Sequence, residues 1–497
     1  MGFYVFDPAG SLTSIHDRDG RTLTVAHTTA GGFSRVTSVR DQSGRGLAFA
    51  HDGRGRITSA VDHAGRKVSF QYDDFDNLTV ARSVDGQATT YRYDDKDQMT
   101  EIVGPDGRTV IRNLYEDKYR VIEQYDALSQ KTALGYDRQN NLVTVTAPDG
   151  KRTVDKYDER FRLLERTDRD GKKIGFEYDQ YGYRGRAFFK DGLSTVTTHD
   201  ARGDVTSVTG RDGVTWNLGY DADSNLTSMV DPNGNRSAMA YDTKGHLTSY
   251  GDPTGVSAAY EYDSRANLTK VTKPSGVVTH LAYDADGQLT RIWDDRGTLA
   301  AFTYTVIGLP ETVTDPRGGV TRYEYDAAGR PTKVTDPLGR VTAMAYNWRG
   351  QVTSQSLPGG NVVTYDYNVD GTLARVRDSL GRGASYTYDS MGNVLTETDA
   401  LGNTATYERD AEGRVTAAKD ATGAVTHYEY DVNGRLTAVR SPSGGASAFE
   451  YDAAGHVLVA RNAVGARGQD QQVEATSGRI HAMRLVQLQL QSGHGGI

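Results

Sequence analysis

A register of 21 residues holds along almost the whole of this 497-residue chain. The dipeptide Tyr-Asp stands at Tyr220-Asp221, Tyr241-Asp242, Tyr262-Asp263 and Tyr283-Asp284. The same interval leads forward to Tyr304, Tyr325-Asp326, Tyr346, Tyr367, Tyr388-Asp389, Arg409, Tyr430-Asp431 and Tyr451. Backward it reaches His199, Tyr178, Tyr157, Tyr136 and Tyr115. One extra residue shifts the frame for Tyr93, Tyr72 and His51, and three more shift it for His27 and Phe6. The 22 units carry Tyr first in 17 and Asp second in 17. Gly lies four residues after the first position in 15 units, as at Gly329 and Gly434, and 14 after it in 20, as at Gly339. Self-similarity at a fixed period marks a repeat architecture, so it fixes the organisation before any single motif does.

The unit reads Tyr-Asp-x-x-Gly-Arg/Asn-Leu-Thr-x-Val-x-Asp-Pro-x-Gly-x-x-Thr-x-Tyr-x. Asp-x-x-Gly and Asp-Pro-x-Gly are turn sequences: Asp bonds its own backbone, Pro presets φ, and Gly accepts positive φ. Two turns per unit leave two extended segments of about six residues, a usual strand length. Thr321-Arg322-Tyr323-Glu324-Tyr325 alternates, with Thr and Tyr on one face and Arg and Glu on the other. Short turns join antiparallel neighbours, so an all-β meander is expected. Its 44 or so strands would run about 210 Å at ~4.8 Å each, and twisted open sheets rarely exceed about ten strands without curling. Apolar residues are only 37%, and Tyr is 30 against Phe 12 and Trp 3, too thin a supply for a solid sandwich. A sheet spiralling into a hollow shell fits better than a flat β-solenoid, whose coils are parallel.

These residues closely resemble the RHS/YD-repeat family, known from bacterial Rhs proteins, the C component of insecticidal toxin complexes and the teneurins of animals. Asp315-Pro316-Arg317-Gly318-Gly319-Val320-Thr321-Arg322-Tyr323-Glu324-Tyr325-Asp326-Ala327-Ala328-Gly329-Arg330 follows its consensus nearly letter for letter. The match covers residues 1 to about 465, leaving 466–497 as a non-repeat tail. The resemblance implies a hollow β-shell that, in bacterial members, encloses a C-terminal toxic domain delivered to another cell, type VI secretion being one such route. Teneurins use a similar shell in adhesion. The implied function is a non-enzymatic shell segment of a polymorphic toxin, with toxin cargo or the remaining shell segments as partners. The alternative is an adhesive surface module that binds glycans or a protein. Family members close the array with a terminator, which the tail lacks, so an incomplete shell is expected. Absence of Cys looks bacterial rather than animal. Localisation would be secreted or surface-delivered, and cytoplasmic before export.

Gly-x-Ser-x-Gly, His-Glu-x-x-His and the phosphate-binding Gly-x-x-x-x-Gly-Lys-Ser/Thr are absent, so no catalytic, cofactor or metal residue is assigned. The repeat positions themselves are read as structural. His27, His51 and His199 occupy the Tyr slot and are read as Tyr replacements. Asp168 and Asp170 before Gly171 are read as solvated, with calcium a minority reading. Trp216, Trp293 and Trp348 are read as packing residues, with a sugar site as the alternative. A net charge of −8 gives no electrostatic reason to expect nucleic acid or anionic membrane. No stretch approaches the ~18 apolar residues of a membrane span. The tail's alternation from Arg484 to Gln491 reads as a strand.

Overall fold

The computed structural model describes residues 2–116, 119–462 and 471–474, with 30, 462 and 471–474 described by backbone alone. The tail segment Arg484 to Gln491 lies outside the described residues. Every described element is a β-strand, and all 45 belong to one sheet. Val320–Tyr325 pairs antiparallel with Pro331–Thr335, which pairs in turn with Val341–Tyr346. Each repeat thus supplies a six-residue strand, a first turn, a five-residue strand and a second turn. The ladder runs one strand past the last unit, where Gln471–Glu474 pairs with Val457–Asn462.

The turn chemistry explains the consensus residue by residue. At the first turn Gly329 N–H donates to Asp326 O at 3.0 Å and Asp326 N–H to Arg330 O at 3.0 Å. Gly329 holds φ +83°, which makes this a type I turn closed by a Gly bulge. Asp326 Oδ1 accepts from Ala328 N–H (2.9 Å) and Arg330 N–H (3.0 Å), while Oδ2 accepts from Arg330 Nε (2.6 Å). One carboxylate therefore satisfies three donors in a loop too tight for ladder bonds. The register shifts between Glu324 and Tyr325, and Thr332 Oγ1 donates to Glu324 O at that point (3.2 Å). The Leu-Thr pair of the consensus thus places a hydroxyl on the carbonyl beside the bulge. Asp336 repeats the arrangement at the second turn, with Leu338 N–H, Arg340 N–H and Arg340 Nε.

The two faces differ as the alternation predicts. Along Val320–Tyr325, Arg322 and Glu324 are exposed and Thr321, Tyr323 and Tyr325 are half-buried. Exposed cross-strand pairs such as Lys333–Glu324 and Lys270–Glu261, each at 2.7 Å, add little in water. Among the described residues the buried apolar side chains are Val25, Val103, Leu218, Ala417 and Ala438. Stability is therefore spread over many half-buried cross-strand pairs, with no closed core to dominate it.

Contacts divide the chain into two compact units. The first joins Met1–Gly135, Thr146–Pro148 and Leu218–Tyr386; the second joins Tyr136–Val145, Asp149–Asn217 and Thr387–Ile497. Each unit sets an early stretch of the ribbon beside a late one.

Candidate functional site: turn edges and the seam between coils

All first turns lie along one edge of the ribbon and all second turns along the other. The Tyr residues of the repeat tie the first edge together. Tyr241 OH donates to Leu226 O (2.8 Å), Tyr262 OH to Leu247 O (3.0 Å), Tyr283 OH to Leu268 O (3.0 Å), Tyr325 OH to Pro310 O (2.7 Å) and Tyr430 OH to Val415 O (3.0 Å). Each of these bonds spans 15 residues, so these phenols lock their own strands to the preceding repeat, whereas Tyr157 OH donates to Asp155 Oδ2 (3.3 Å) in its own strand. Arg side chains add a second link. Arg330 lies over the Tyr346 ring at 5.2 Å, Arg414 over Tyr430 at 4.9 Å and Arg435 over Tyr451 at 4.8 Å, within cation–π range. Asp263, Asp389 and Asp431 hold their own turns through Asn267, Asn393 and Arg435. Asp221 and Asp284 accept the backbone N–H of Asn225 and Gln288, both at 2.9 Å. Gly339 and Gly434 take φ +76° and +84°. The repeat-defining residues therefore form a ladder along an edge and do not converge on a point.

The two edges meet where the ribbon returns beside itself. In the first unit Arg45 Nη2 donates to Asp286 O (3.2 Å), His63 Nε2 lies 2.8 Å from Val306 O, and Arg330 Nη2 donates to Asp85 Oδ2 (3.1 Å). In the second unit Asp170 N–H donates to Glu412 Oε1 (3.1 Å) and Asn433 Nδ2 to Asp191 Oδ2 (2.7 Å). The sequence separations are 241, 243, 245, 242 and 242, about eleven and a half repeats. The half repeat has a geometric cause: a second turn at the edge of one coil must meet a first turn at the edge of the next. Trp348 packs into the same seam, because a Cβ at Gly104 would lie 2.8 Å from its ring carbons. His246 sits between Asp242 Oδ2 (2.7 Å) and, across the seam, Asp19 Oδ1 (2.8 Å). The His246 backbone N–H, and then its ring, hold the Asp242 carboxyl down to about 2 against the opposing effect of desolvation.

Near this point the seam slips. Turn 17–20 meets turn 242–245, whereas turn 41–44 meets turn 284–287, so turn 263–266 falls between the two pairings. A cavity of about 380 Å³ opens there, lined by Asp17, Arg21, Asp41, Arg45, Arg265 and Asp286 among others. Arg21 pairs with Asp17 (2.6 Å) and Arg45 with Asp41 (3.0 Å), while Arg265 Nη1 donates to Ala285 O (2.5 Å).

Comparison with known proteins agrees with this geometry. A family model described as RHS Repeat matches residues 199–236, 241–278, 283–320, 307–341, 367–404, 388–425, 409–446 and 430–467. A second, described as Teneurin YD-shell, matches residues 5–184. This chain belongs to the RHS/YD-repeat family. Solved structures share the fold of this RHS/YD chain at low identity. The crystal structure of TcdB2-TccC3-TEV aligns with a TM-score of 0.60 at 12% identity, covering 93% of this chain and 34% of that one. TcdB2-TccC3 without its hypervariable C-terminal region gives 0.53 at 15% identity, covering 92% and 27%. The RHS/YD chain thus spans about a third of the length of the solved chains it matches. No curated protein matches it.

The remaining sequence-predicted residues of this RHS/YD chain fall as follows. His27 Nε2 lies 2.7 Å from Leu12 O, the carbonyl 15 residues back that a Tyr would reach. Arg409, also in the Tyr slot, donates to Val394 O at 3.1 Å over the same span. His199 instead contacts Asp179 Oδ2 at 3.1 Å. Trp293 stacks on His280 and Trp348 fills the seam, while Trp216 faces Val208 across a strand pair. The three therefore have separate neighbours. Asp168 and Asp170 differ from the solvated pair expected: Lys190 Nζ lies 2.8 and 3.1 Å from them and 3.5 Å from Glu412, with all four side chains mostly shielded. The seam burial that shields them depends on a residue 242 positions away, which local sequence does not reveal. Among the described residues no three His, Asp or Glu are placed to hold a metal ion, and no helix is long and apolar enough to cross a membrane.

The seam itself was missed at the level of sequence, although it has a signature. In the second turn, the residue just before Gly is Asp19, Asp85, Asp106, Asp149, Asp170, Asp191 or Asp212 in seven of the ten turns before residue 214. In the turns from 231 onward that slot never holds Asp.

Proposed function

We propose that the chain is a wall segment of a toxin-enclosing shell, a scaffold whose recurring side chains serve assembly and not catalysis. The observation that carries this reading is the seam at about eleven and a half repeats, which inside each unit joins an early stretch of the ribbon edge to edge with a late one. Among the described residues the Tyr, Asp and Gly that define the repeat serve turns, ladder and seam. An exported passenger as cargo and delivery outside the producing cell follow from the same reading. The test is protection of a passenger polypeptide fused after residue 497. Limited proteolysis should spare the passenger as long as the wall is intact. It should cleave the passenger once Gly104→Trp wedges the seam. A passenger digested as fast with the wall as without it would overturn the proposal.

A further inference from the structure

Twice across the seam of the first unit, the residue after a first-turn Gly bridges two carboxylates. Arg330 follows Gly329, and its guanidinium joins Asp326 of its own turn (2.6 Å) to Asp85 across the seam (3.1 Å). His246 follows Gly245, and its ring joins Asp242 of its own turn (2.7 Å) to Asp19 across the seam (2.8 Å). Asp85 and Asp19 each stand just before the Gly of a second turn. The two bridges therefore share one plan and differ in the cation. Arg is charged at every working pH, whereas imidazole loses its charge between about pH 5 and 8.

The bridge at His246 needs a proton on both ring nitrogens. Neutral imidazole carries a single N–H. With Nδ1–H on Asp242, a bare Nε2 would turn its lone pair toward Asp19 Oδ1, and these two atoms are buried with no hydrogen-bond partner elsewhere. Four carboxylates face the site: Asp17 and Asp19 from the early turn, Asp242 from the late one and Asp223 from the first turn before it. Against them stand three cations, Arg18, Arg21 and Lys244. The imidazolium is the fourth and balances the charge. It is also the group here that titrates near neutrality. Asp242 is held to about 2 by the His246 backbone N–H and ring, and burial keeps the proton on Tyr262, whose ring lies 5.0 Å away.

The slip leaves this contact with little other support. Besides the bridge, Arg18 Nη1 donates to Lys244 O (2.8 Å), and cavities of about 340 and 380 Å³ both reach Asp17. The next seam contact, Arg45 with Asp286, lies beyond turn 263–266. We propose that His246 is a proton-dependent latch: turns 17–20 and 242–245 stay joined while the ring is charged and part when it loses its proton. The sign follows from linkage. The joined state binds the proton and the parted state releases it near neutrality, so joining weakens as pH rises through the imidazole range. On the acid side it ends where the carboxyls themselves take up protons, below about 3.8. The latch goes beyond the shell reading, which needs the seam but not its release, and its readout uses no passenger, so the two can fail separately.

The chain has no Cys, so a pair of spin labels can report on the latch in the full chain. Thr24→Cys and Thr243→Cys put labels at exposed positions on the two sides of the contact. At about pH 5.5 their distance should form one narrow distribution. At about pH 8.5 a second, longer distance should appear, the parted population rising about tenfold. His246→Arg, which installs the fixed charge found at Arg330, should keep the single distance at both pH values. His246→Gln should show the longer distance at both. Should His246→Gln lose its far-UV signature, Asp19→Asn removes the cross-seam carboxylate and carries the same test. Labels at Gln87 and Ala328, across the Asp85–Arg330 contact, should not respond to pH. A wild-type distribution identical at both pH values, or a His246→Gln chain that still switches, would overturn the proposal. So would an equal response across Asp85 and Arg330, which would make parting a property of the whole seam and not of His246.

Discussion

Second turns before residue 214 and second turns after residue 231 have the same backbone and opposite surroundings. Both close at positive φ, on Gly in the described turns except 126–129, where Ser129 takes φ +61°, and in most of them an Asp accepts the following N–H groups. The early ones face the seam, and their tips are ionic: Arg18 donates to Lys244 O at 2.8 Å and Lys190 bridges Asp170 and Glu412. The later ones face outward, and Pro fills their second position seven times, at Pro232, Pro253, Pro274, Pro316, Pro337, Pro358 and Pro442, against twice among the ten early turns, at Pro105 and Pro148; four early turns place Arg18, Arg169, Lys190 and Arg211 there. A turn that docks can use a long cationic side chain, because the neighbour orders it. A turn without a neighbour has only its own loop, and Pro shapes that loop before folding by restricting the unfolded chain. The contrast teaches that one repeat can be tuned for contact or for independence at a single position.

Acid should erase that contrast, and it is the largest perturbation expected. Turn carboxyls on both edges are lowered in the fold: Asp242 to about 2 by His246, Asp378 through the Arg382 guanidinium and Asp399 through the Asn403 amide. Their unfolded values lie near 3.8. As pH falls the unfolded chain takes up protons first, so stability is complete above about 3.8 and declines from there toward about 2. Acid titration followed by circular dichroism should therefore show cooperative loss below pH 3.8. A sheet equally resistant to urea at pH 2 and pH 6 would refute the role given to the Asp turns.

Gly104→Ala should damage the seam. The new Cβ would lie 2.8 Å from two ring carbons of Trp348, an overpacking that costs about 1–3 kcal/mol. Leu401→Ala, at the exposed tip of an outward-facing second turn, should change stability by less than about 0.5 kcal/mol. Urea midpoints compare the two, and Trp348→Ala should suppress the Gly104 defect. Equal losses at both sites would mean that the seam is not packed more tightly than the outer edge.

How much of this was readable beforehand depends on the range of the interaction. Tyr325, Asp326 and Gly329 announced a turn because everything that defines it lies within five residues. The alternation of Thr321, Arg322, Tyr323 and Glu324 announced the two faces for the same reason. The reach of the Tyr325 hydroxyl to Pro310 O was hidden, although the fixed spacing of 15 follows once the strand order is known. Partners such as Asp191 and Asn433 were hidden more deeply, since coil circumference depends on accumulated twist and not on any local motif. Only the slot just before Gly, Asp in most early turns and never in the later ones, carried a trace of the seam. Ala266 shows the opposite limit: it departs from Gly yet keeps φ +63°, so the register outweighs local preference there.

Tyr241→Phe separates the ladder of the first edge from the seam. The hydroxyl donates to Leu226 O at 2.8 Å, and removing a single neutral bond of this kind costs about 1 kcal/mol. The loss should appear in hydrogen exchange as faster opening of 226–241, with the cross-seam turns 62–65 and 305–308 unchanged. Faster exchange at both places would show that ladder and seam open as one unit.

The smallest effect is the one that weighs a single cross-seam pair. Asp85 and Arg330 keep about a quarter of their side-chain surface exposed and meet at 3.1 Å, so water screens much of their attraction. Arg330 also holds Asp326 at 2.6 Å within its own turn, and Arg330→Ala alone would mix the two contributions. A double-mutant cycle with Asp85→Ala cancels the intra-turn part and isolates the seam pair. The coupling should be about 0.5–1 kcal/mol at low salt and fall as salt is added. Asp336 and Arg340, the matching pair inside one outward turn, offer a control that crosses no seam. A coupling of zero between Asp85 and Arg330 would leave backbone contacts and packing at Trp348 to hold the coils together. The ionic tips of the early turns would then select the register of the seam without adding to its strength.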